Sequence, residues 1–173
     1  MLTLLFAGAA HASFEGATIQ ATIYSPDLSS PWYDEVAVVG PGIEFRNYPA
    51  PDPATNIDIS STNILITYYR TAEWSAAEFN GPVFEAQTPI TPISSVSINP
   101  ATNMIGLDAS RISFTPNSVS INWNGLGFDT TTVVSLDVRF GEPIPTLEKA
   151  ALMTMIVLLG AIGSFLIRRF VSN

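Results

Sequence analysis

The stretch Ala17-Thr18-Ile19-Gln20-Ala21-Thr22-Ile23-Tyr24 decides the fold class of this chain. Apolar side chains occupy every second position, and polar or amphipathic side chains occupy the positions between them. Because successive side chains of a strand point to opposite faces of a sheet, this alternation predicts a β-strand with one buried face. An amphipathic helix would instead place its apolar residues three and four positions apart.

The same alternation recurs along the chain at intervals near ten residues, between loops rich in proline, glycine and asparagine. Thr115-Pro116-Asn117-Ser118 separates two such stretches and predicts a hairpin. Strands are predicted at residues 17–24, 36–39, 43–45, 57–60, 63–69, 96–98, 112–114, 119–123 and 134–140. This pattern predicts an all-β fold, an antiparallel β-sandwich or jelly-roll-like domain over residues 13–140.

An apolar segment follows this domain. The run from Ala150 to Ile167 contains no charged residue and shows no polar stripe. At about 1.5 Å per residue, a helix over 150–167 would span roughly 27 Å, which is near the lower limit for crossing a bilayer. We therefore predict a single transmembrane helix rather than a buried core helix. Arg168 and Arg169 predict that the basic tail, 168–173, lies in the cytoplasm.

The N-terminal residues are typical of a secretory signal peptide over 1–12. A short apolar run precedes Ala10-His11-Ala12, whose small-x-small pattern matches a cleavage site after Ala12. The basic residues that normally open such a signal are missing, which predicts a translation start farther upstream. A buried N-terminal strand is the alternative interpretation. A cleaved signal would leave an exported chain that begins at Ser13.

The chain has no cysteine, and its single histidine is His11. An exported chain starting at Ser13 would contain neither residue type. This composition excludes disulfides, thiol nucleophiles, Ser-His-Asp and Cys-His catalysis, and ordinary zinc sites. All 15 acidic residues lie between Glu15 and Glu148, where only four arginines oppose them. Because phosphate backbones are repelled by such a surface, nucleic acid is excluded as a partner.

The C-terminal region resembles a known sorting signal. Ile144-Pro145-Thr146-Leu147 lies in a proline-containing linker, 141–149, ahead of the apolar segment and the two arginines. This arrangement resembles the IPTL-CTERM signal, a variant of the bacterial PEP-CTERM system. The family usually continues with Ser-Glu-Trp, whereas Glu148-Lys149-Ala150 follow here. Cleavage of the tail is therefore the step that needs a direct test.

The resemblance implies a destination and a processing partner. Proteins with such tails are exported as inner-membrane-anchored precursors and are recognised by a membrane-embedded, exosortase-type protease. Their mature forms belong to the cell surface or extracellular matrix of Gram-negative bacteria, in exopolysaccharide and biofilm settings. The body also resembles the β-rich passenger domains of this family, at residues 14–16, 57–60, 79–84, 110–114, 125–126 and 134–138. The resemblance implies no catalytic residues.

A carbohydrate-binding module is the alternative function. Sugar rings stack their CH faces on exposed aromatic planes, while carboxylates, amides and arginines supply hydrogen bonds. Trp32 and Trp74 lie in loop-like sequence and are the candidates for glycan contact. Trp123 alternates with Val119 and Ile121, which predicts a core position. Packing in or beside the core is the alternative for each tryptophan.

Calcium is the one cofactor that the sequence suggests. Asp52, Asp58, Asp108 and Asp129 lie in or beside loops together with several asparagines, and Ca²⁺ prefers such oxygen ligands. Their spacing matches no EF-hand loop, and the same residue types form turns by binding their own backbone. Turn formation is therefore the favoured interpretation, and no other metal or cofactor is expected.

Enzymatic activity would have to rest on carboxylates. Paired acidic residues hydrolyse glycosides without histidine, and Glu73, Glu78 and Glu85 lie near Trp74 in the sequence. They show no signature spacing, so we interpret them as solvated loop acids and expect a non-enzymatic protein.

Overall fold

The computed structural model describes residues 12–50, 52 and 54–141. These residues form one compact unit. The predicted sorting motif, transmembrane helix and basic tail lie outside the described residues, as does nearly all of the predicted signal peptide. Within the described ranges, no helix is long and apolar enough to cross a bilayer.

The first of two five-stranded antiparallel sheets is formed by β1 (Thr18–Tyr24), β2 (Pro31–Val38), β7 (Gly81–Ala86), β9 (Ile112–Thr115) and β10 (Ser118–Ile121). The order of these strands in the sheet is β2-β1-β7-β10-β9. The predicted hairpin forms, with Val119 opposite Phe114 and Ile121 opposite Ile112.

The second five-stranded sheet is also antiparallel and has the order β3-β4-β5-β12-β8. Its strands are β3 (Phe45–Tyr48), β4 (Thr55–Ile59), β5 (Asn63–Tyr68), β8 (Ile93–Ile98) and β12 (Val133–Phe140). Two short strands, β6 (Ala72–Glu73) and β11 (Gly127–Phe128), form a small antiparallel pair of their own. A single 3₁₀ turn at Ala109–Arg111 precedes β9.

The inner faces of the two large sheets share one hydrophobic core. β1 contributes Ile19, Ala21 and Ile23, and β12 contributes Val134, Leu136 and Val138. In both strands these positions alternate with more exposed residues, as the sequence pattern requires. The prediction of an all-β, antiparallel, sandwich-like fold is confirmed.

Some strands differ from their predicted positions. β2 begins at Pro31 rather than residue 36, and β3 lies at Phe45–Tyr48 rather than 43–45. β7 was not predicted, because its Gly81-Pro82 start resembles a loop. Proline is tolerated there because the pairing of β7 with β10 covers only Val83 to Glu85. Strand β7 nevertheless lies between β1 and β10, in the middle of its sheet.

Candidate functional site

The two tryptophans proposed for glycan contact line the same cavity. This cavity, here called the tryptophan cavity, has a volume of about 390 Å³, within the range of small-molecule sites. Trp32 is 47% exposed and lies in strand β2, not in a loop as predicted. Trp74 follows β6 directly and is half-buried. The fold therefore brings together two rings that are 42 positions apart in the sequence.

Aromatic packing holds Trp74 in place. Its ring stacks on Trp123 with a centroid distance of 4.8 Å and an interplanar angle of 26°, and it also packs against Phe128 at 5.3 Å. Trp123 is fully buried, as the alternation over 119–123 predicts, although β10 itself ends at Ile121. Because both Trp123 and Phe128 pack against the Trp74 ring, only part of this ring is open to a ligand. Trp32 contributes the more accessible of the two aromatic surfaces.

The indole N–H of Trp74 lies next to the hydroxyl of Tyr68. Burial raises the pKa of Tyr68, and the neighbouring Trp74 indole shifts it by a smaller amount in the opposite direction. Neither group has a partner of good hydrogen-bond geometry among the described residues. Both polar atoms are buried, and Tyr68 is not among the residues that line the cavity.

An ion pair forms another part of the cavity wall. The Arg70 guanidinium binds the Asp52 carboxylate through both terminal nitrogens, and the Nη2–Oδ2 distance is 3.1 Å. Hydrogen bonds from Arg70, together with its charge, hold the pKa of Asp52 below its ordinary value. The buried Nε of Arg70 has no partner within the described part of the chain. The pair presents a hydrogen-bonding edge with little net charge.

Asn80 and Glu73 complete the polar lining. Asn80 is buried, and its side-chain amide donates to the carbonyl of Ser75 at 2.9 Å, which fixes the loop after Trp74. Glu73 is exposed in β6, one residue before Trp74. The cavity thus combines aromatic faces with a carboxylate, an ion pair and an amide, which suits a ligand with both CH faces and hydroxyl groups.

The four calcium candidates have different local roles. Asp108 accepts hydrogen bonds from the backbone N–H and the hydroxyl of Ser110. Asp129 accepts hydrogen bonds from the backbone N–H and the hydroxyl of Thr131. These bonds lower the pKa of both carboxyls. Asp52 pairs with Arg70, and Asp58 lies within strand β4. Among the described residues, no three acidic or histidine side chains converge as a metal site would require.

The carboxylates considered for glycoside hydrolysis lie on different elements. Glu73 lines the tryptophan cavity, whereas Glu85 lies in β7 and accepts a weak hydrogen bond from Asn117 at 3.4 Å. Glu78 lies in the loop before β7. Arg70 and Asn80 also line the tryptophan cavity. The sequence does not predict this position for them, because no local pattern connects them with Trp32.

In comparisons with protein-family models, curated proteins and solved structures, nothing matches this chain.

Proposed function

We propose that this chain is an exported protein of the cell envelope or extracellular matrix, sorted by an exosortase-type C-terminal signal. Its β-sandwich body is presented at the surface and has no catalytic role. The absence of cysteine, and of histidine after position 11, supports a passenger without the usual nucleophiles and proton carriers. The strongly acidic body supports solubility outside the membrane.

The observation that carries this proposal is the C-terminal sequence. Ile144-Pro145-Thr146-Leu147, the uncharged run 150–167 and the Arg168-Arg169 pair occur in the order that a sorting signal requires. A buried core helix would not need a proline-containing linker before it or a basic pair after it. The two arginines supply the cytoplasmic stop of a chain whose body is exported.

Fractionation and mass spectrometry of the mature C-terminus test this proposal. We expect the full chain in the membrane fraction early, and later a surface or matrix form that lacks Arg168 and Arg169. Replacing Ile144-Pro145-Thr146-Leu147 by four alanines should retain the membrane-bound form, whereas alanine at Pro143 alone should not. Detection of both arginines on the surface form at steady state would contradict tail cleavage, and a body confined to the cytoplasm would contradict export.

Carbohydrate binding is the second candidate function, supported by the shared cavity of Trp32 and Trp74. An exposed ring and a rigidly stacked ring on one cavity are suited to sugar CH faces. The neighbouring Asp52–Arg70 pair and Asn80 offer groups that can bind hydroxyls. Exopolysaccharide is the source of glycan that fits the proposed location.

A glycan array probed with the full chain, purified in detergent, tests the second candidate. Trp32→Ala should weaken binding about tenfold, equivalent to ~1.4 kcal/mol. Trp74→Phe should weaken binding while preserving the packing on Trp123 better than alanine would. Phe114→Ala is the matched control, because Phe114 is 44% exposed and lies on β9, at the opposite edge of the sheet from β2. Equal binding by all four proteins would reject the cavity as the glycan site.

A further inference from the structure

We propose that the tryptophan cavity is one end of a longer groove that binds an extended glycan chain without acidic groups. This inference rests on the carbohydrate-binding candidate and specifies its ligand class. The groove crosses the small β6–β11 pair and continues into a second cavity, and Glu73 lies at the junction.

The second cavity, here called the outer cavity, has a volume of about 700 Å³. Its lining includes Thr71 and Ala72 from the β6 segment and Gly127 and Phe128 from β11. The tryptophan cavity is lined by Trp74 and Ser75, which follow on the same segment. Glu73 is the one residue common to the linings of the two cavities, which places it at the proposed junction.

The pairing of β6 with β11 explains why the junction is open. Trp74 packs inward on Trp123, and because side chains alternate along an extended segment, Glu73 points outward. The residue paired with Glu73 across the strands is Gly127. A directly opposite residue on a neighbouring strand normally places its side chain on the same face. Glycine has none, so the surface beside Glu73 is unobstructed.

The charge of the groove selects against acidic ligands. Glu73 and Asp129 contribute carboxylates, and neither forms an ion pair within the described residues. Arg70 provides a positive charge in the groove, but Asp52 neutralises it. A uronic acid or phosphate-bearing sugar would meet uncompensated negative charge, whereas hydroxyl and ammonium groups would find acceptors.

Three hexasaccharides with the same β-1,4 linkage test the ligand class: cellohexaose, a chitosan hexamer and a mannuronate hexamer. Binding to the full chain in detergent is measured by calorimetry at low ionic strength. We expect the neutral or the cationic hexamer to bind at least about tenfold more tightly than the anionic one. This preference should shrink in 0.5 M salt, where charges are screened. Equal or tighter binding of the mannuronate hexamer at low salt would overturn the proposed ligand class.

Glu73→Gln removes the negative charge of the residue that lines both cavities, while preserving the shape of the side chain. It should reduce the discrimination against the mannuronate hexamer several-fold. The control is Glu78→Gln, which changes the total charge equally but alters a residue of the loop between β6 and β7 that lines neither cavity. Equal effects of the two substitutions would show that discrimination comes from the overall charge and would overturn the role of Glu73.

Gly127→Leu tests the continuity of the groove. A Cβ atom at Gly127 would have its nearest neighbour, the Ala72 carbonyl oxygen, at 3.9 Å, so the variant should fold. The leucine should fill the space beside Glu73 and weaken hexamer binding at least about fivefold, with little effect on cellobiose in the tryptophan cavity. Gly40→Leu is the control, since a Cβ atom there has nothing within 4 Å.

The outcomes separate this inference from the function on which it rests. If no hexamer binds, the carbohydrate-binding candidate fails and the groove fails with it. If hexamers bind but cellobiose binds as tightly, and Gly127→Leu has no effect, the groove is overturned while the tryptophan cavity remains a glycan site. Length-dependent binding that is lost in Gly127→Leu supports the groove.

Discussion

Gly81 opens strand β7 at a position where the structure has no room for a side chain. A Cβ atom there would overlap the carbonyl oxygen of Ile121 and lie 3.3 Å from the backbone nitrogen of Trp123. The backbone angle at Gly81 is not in the left-handed region. The requirement for glycine is therefore spatial and comes from the close approach of the chain after β10.

Gly81→Ala should lower the free energy of unfolding by about 2 kcal/mol or more, because the backbone of β7 or β10 has to move. Urea denaturation followed by circular dichroism measures the change. Gly40→Ala, where the new methyl group meets nothing within 4 Å, should change stability by less than about 0.5 kcal/mol. Similar effects of the two substitutions would contradict the steric explanation.

The loop aspartates act on their own backbone. Asp129 accepts hydrogen bonds from the N–H and hydroxyl of Thr131, at 2.8 and 2.7 Å, and from the hydroxyl of Thr132. Because these donors favour the ionised form, the pKa of Asp129 lies below its ordinary value of about 3.9. A lowered pKa in the folded state contributes stability that is complete above the ordinary value and is lost as the pH falls through the folded value.

Thr131→Val should raise the pKa of Asp129 while leaving it below the ordinary value, because the backbone N–H donor remains. The pKa of Asp108, which is lowered by Ser110 in a different loop, should not change. Carbon-detected NMR titration of the two carboxyl groups measures both values. An Asp129 that titrates at or above the ordinary aspartate value in the unmodified chain would refute this role.

Strands contribute to stability according to their place in a sheet. β5 lies between β4 and β12, and its Ile64, Ile66 and Tyr68 are buried. β2 is an edge strand, and its Trp32, Val36 and Val38 remain exposed. Alternating apolar side chains are therefore buried in β5 but exposed in β2.

Ile66→Ala in β5 should lower the free energy of unfolding by about 3 kcal/mol, since it leaves a cavity between the two sheets. Val36→Ala in β2 should change it by less than about 0.5 kcal/mol, because Val36 is 54% exposed. Chemical denaturation of both variants measures the difference. A large loss in Val36→Ala would instead reveal that the edge strand is covered in solution.

At the scale of the whole molecule, the two large sheets depend on each other. Residues of both belong to one buried cluster, in which Trp123, two residues after β10, contacts Tyr68 of β5, with ring centroids 6.1 Å apart. Neither sheet can bury its inner face without the other. The described part of the chain should therefore unfold as one cooperative unit.

Urea unfolding followed by tryptophan fluorescence and by far-ultraviolet circular dichroism should give coincident transitions. Fluorescence reports the packing of Trp74 and Trp123, whereas circular dichroism reports the strands of both sheets. Ile66→Ala should shift both curves equally, although Ile66 lies in the second sheet. Separate midpoints for the two signals would show that the sheets unfold independently.

Much of the fold was predictable because strand formation is encoded locally. The alternation in 17–24 and 134–140, and the turn at 115–118, each lie within a few residues and predict β1, β12 and the β9–β10 hairpin. The buried position of Trp123 follows from the same alternation. Strands β6, β7 and β11 were missed because two are too short to show a period and β7 begins with Gly81-Pro82.

The sequence alone determined the all-β class and the acidic body without cysteine, and it supplied the terminal segments on which the proposed export rests, because composition and short-range alternation carry that information. Only the tertiary structure decided that Trp32 and Trp74 line one cavity, that Arg70 binds Asp52, and that Glu73 faces glycine across a strand pair. These contacts join segments far apart in the chain, so they depend on strand order and register. No local pattern encodes those long-range pairings.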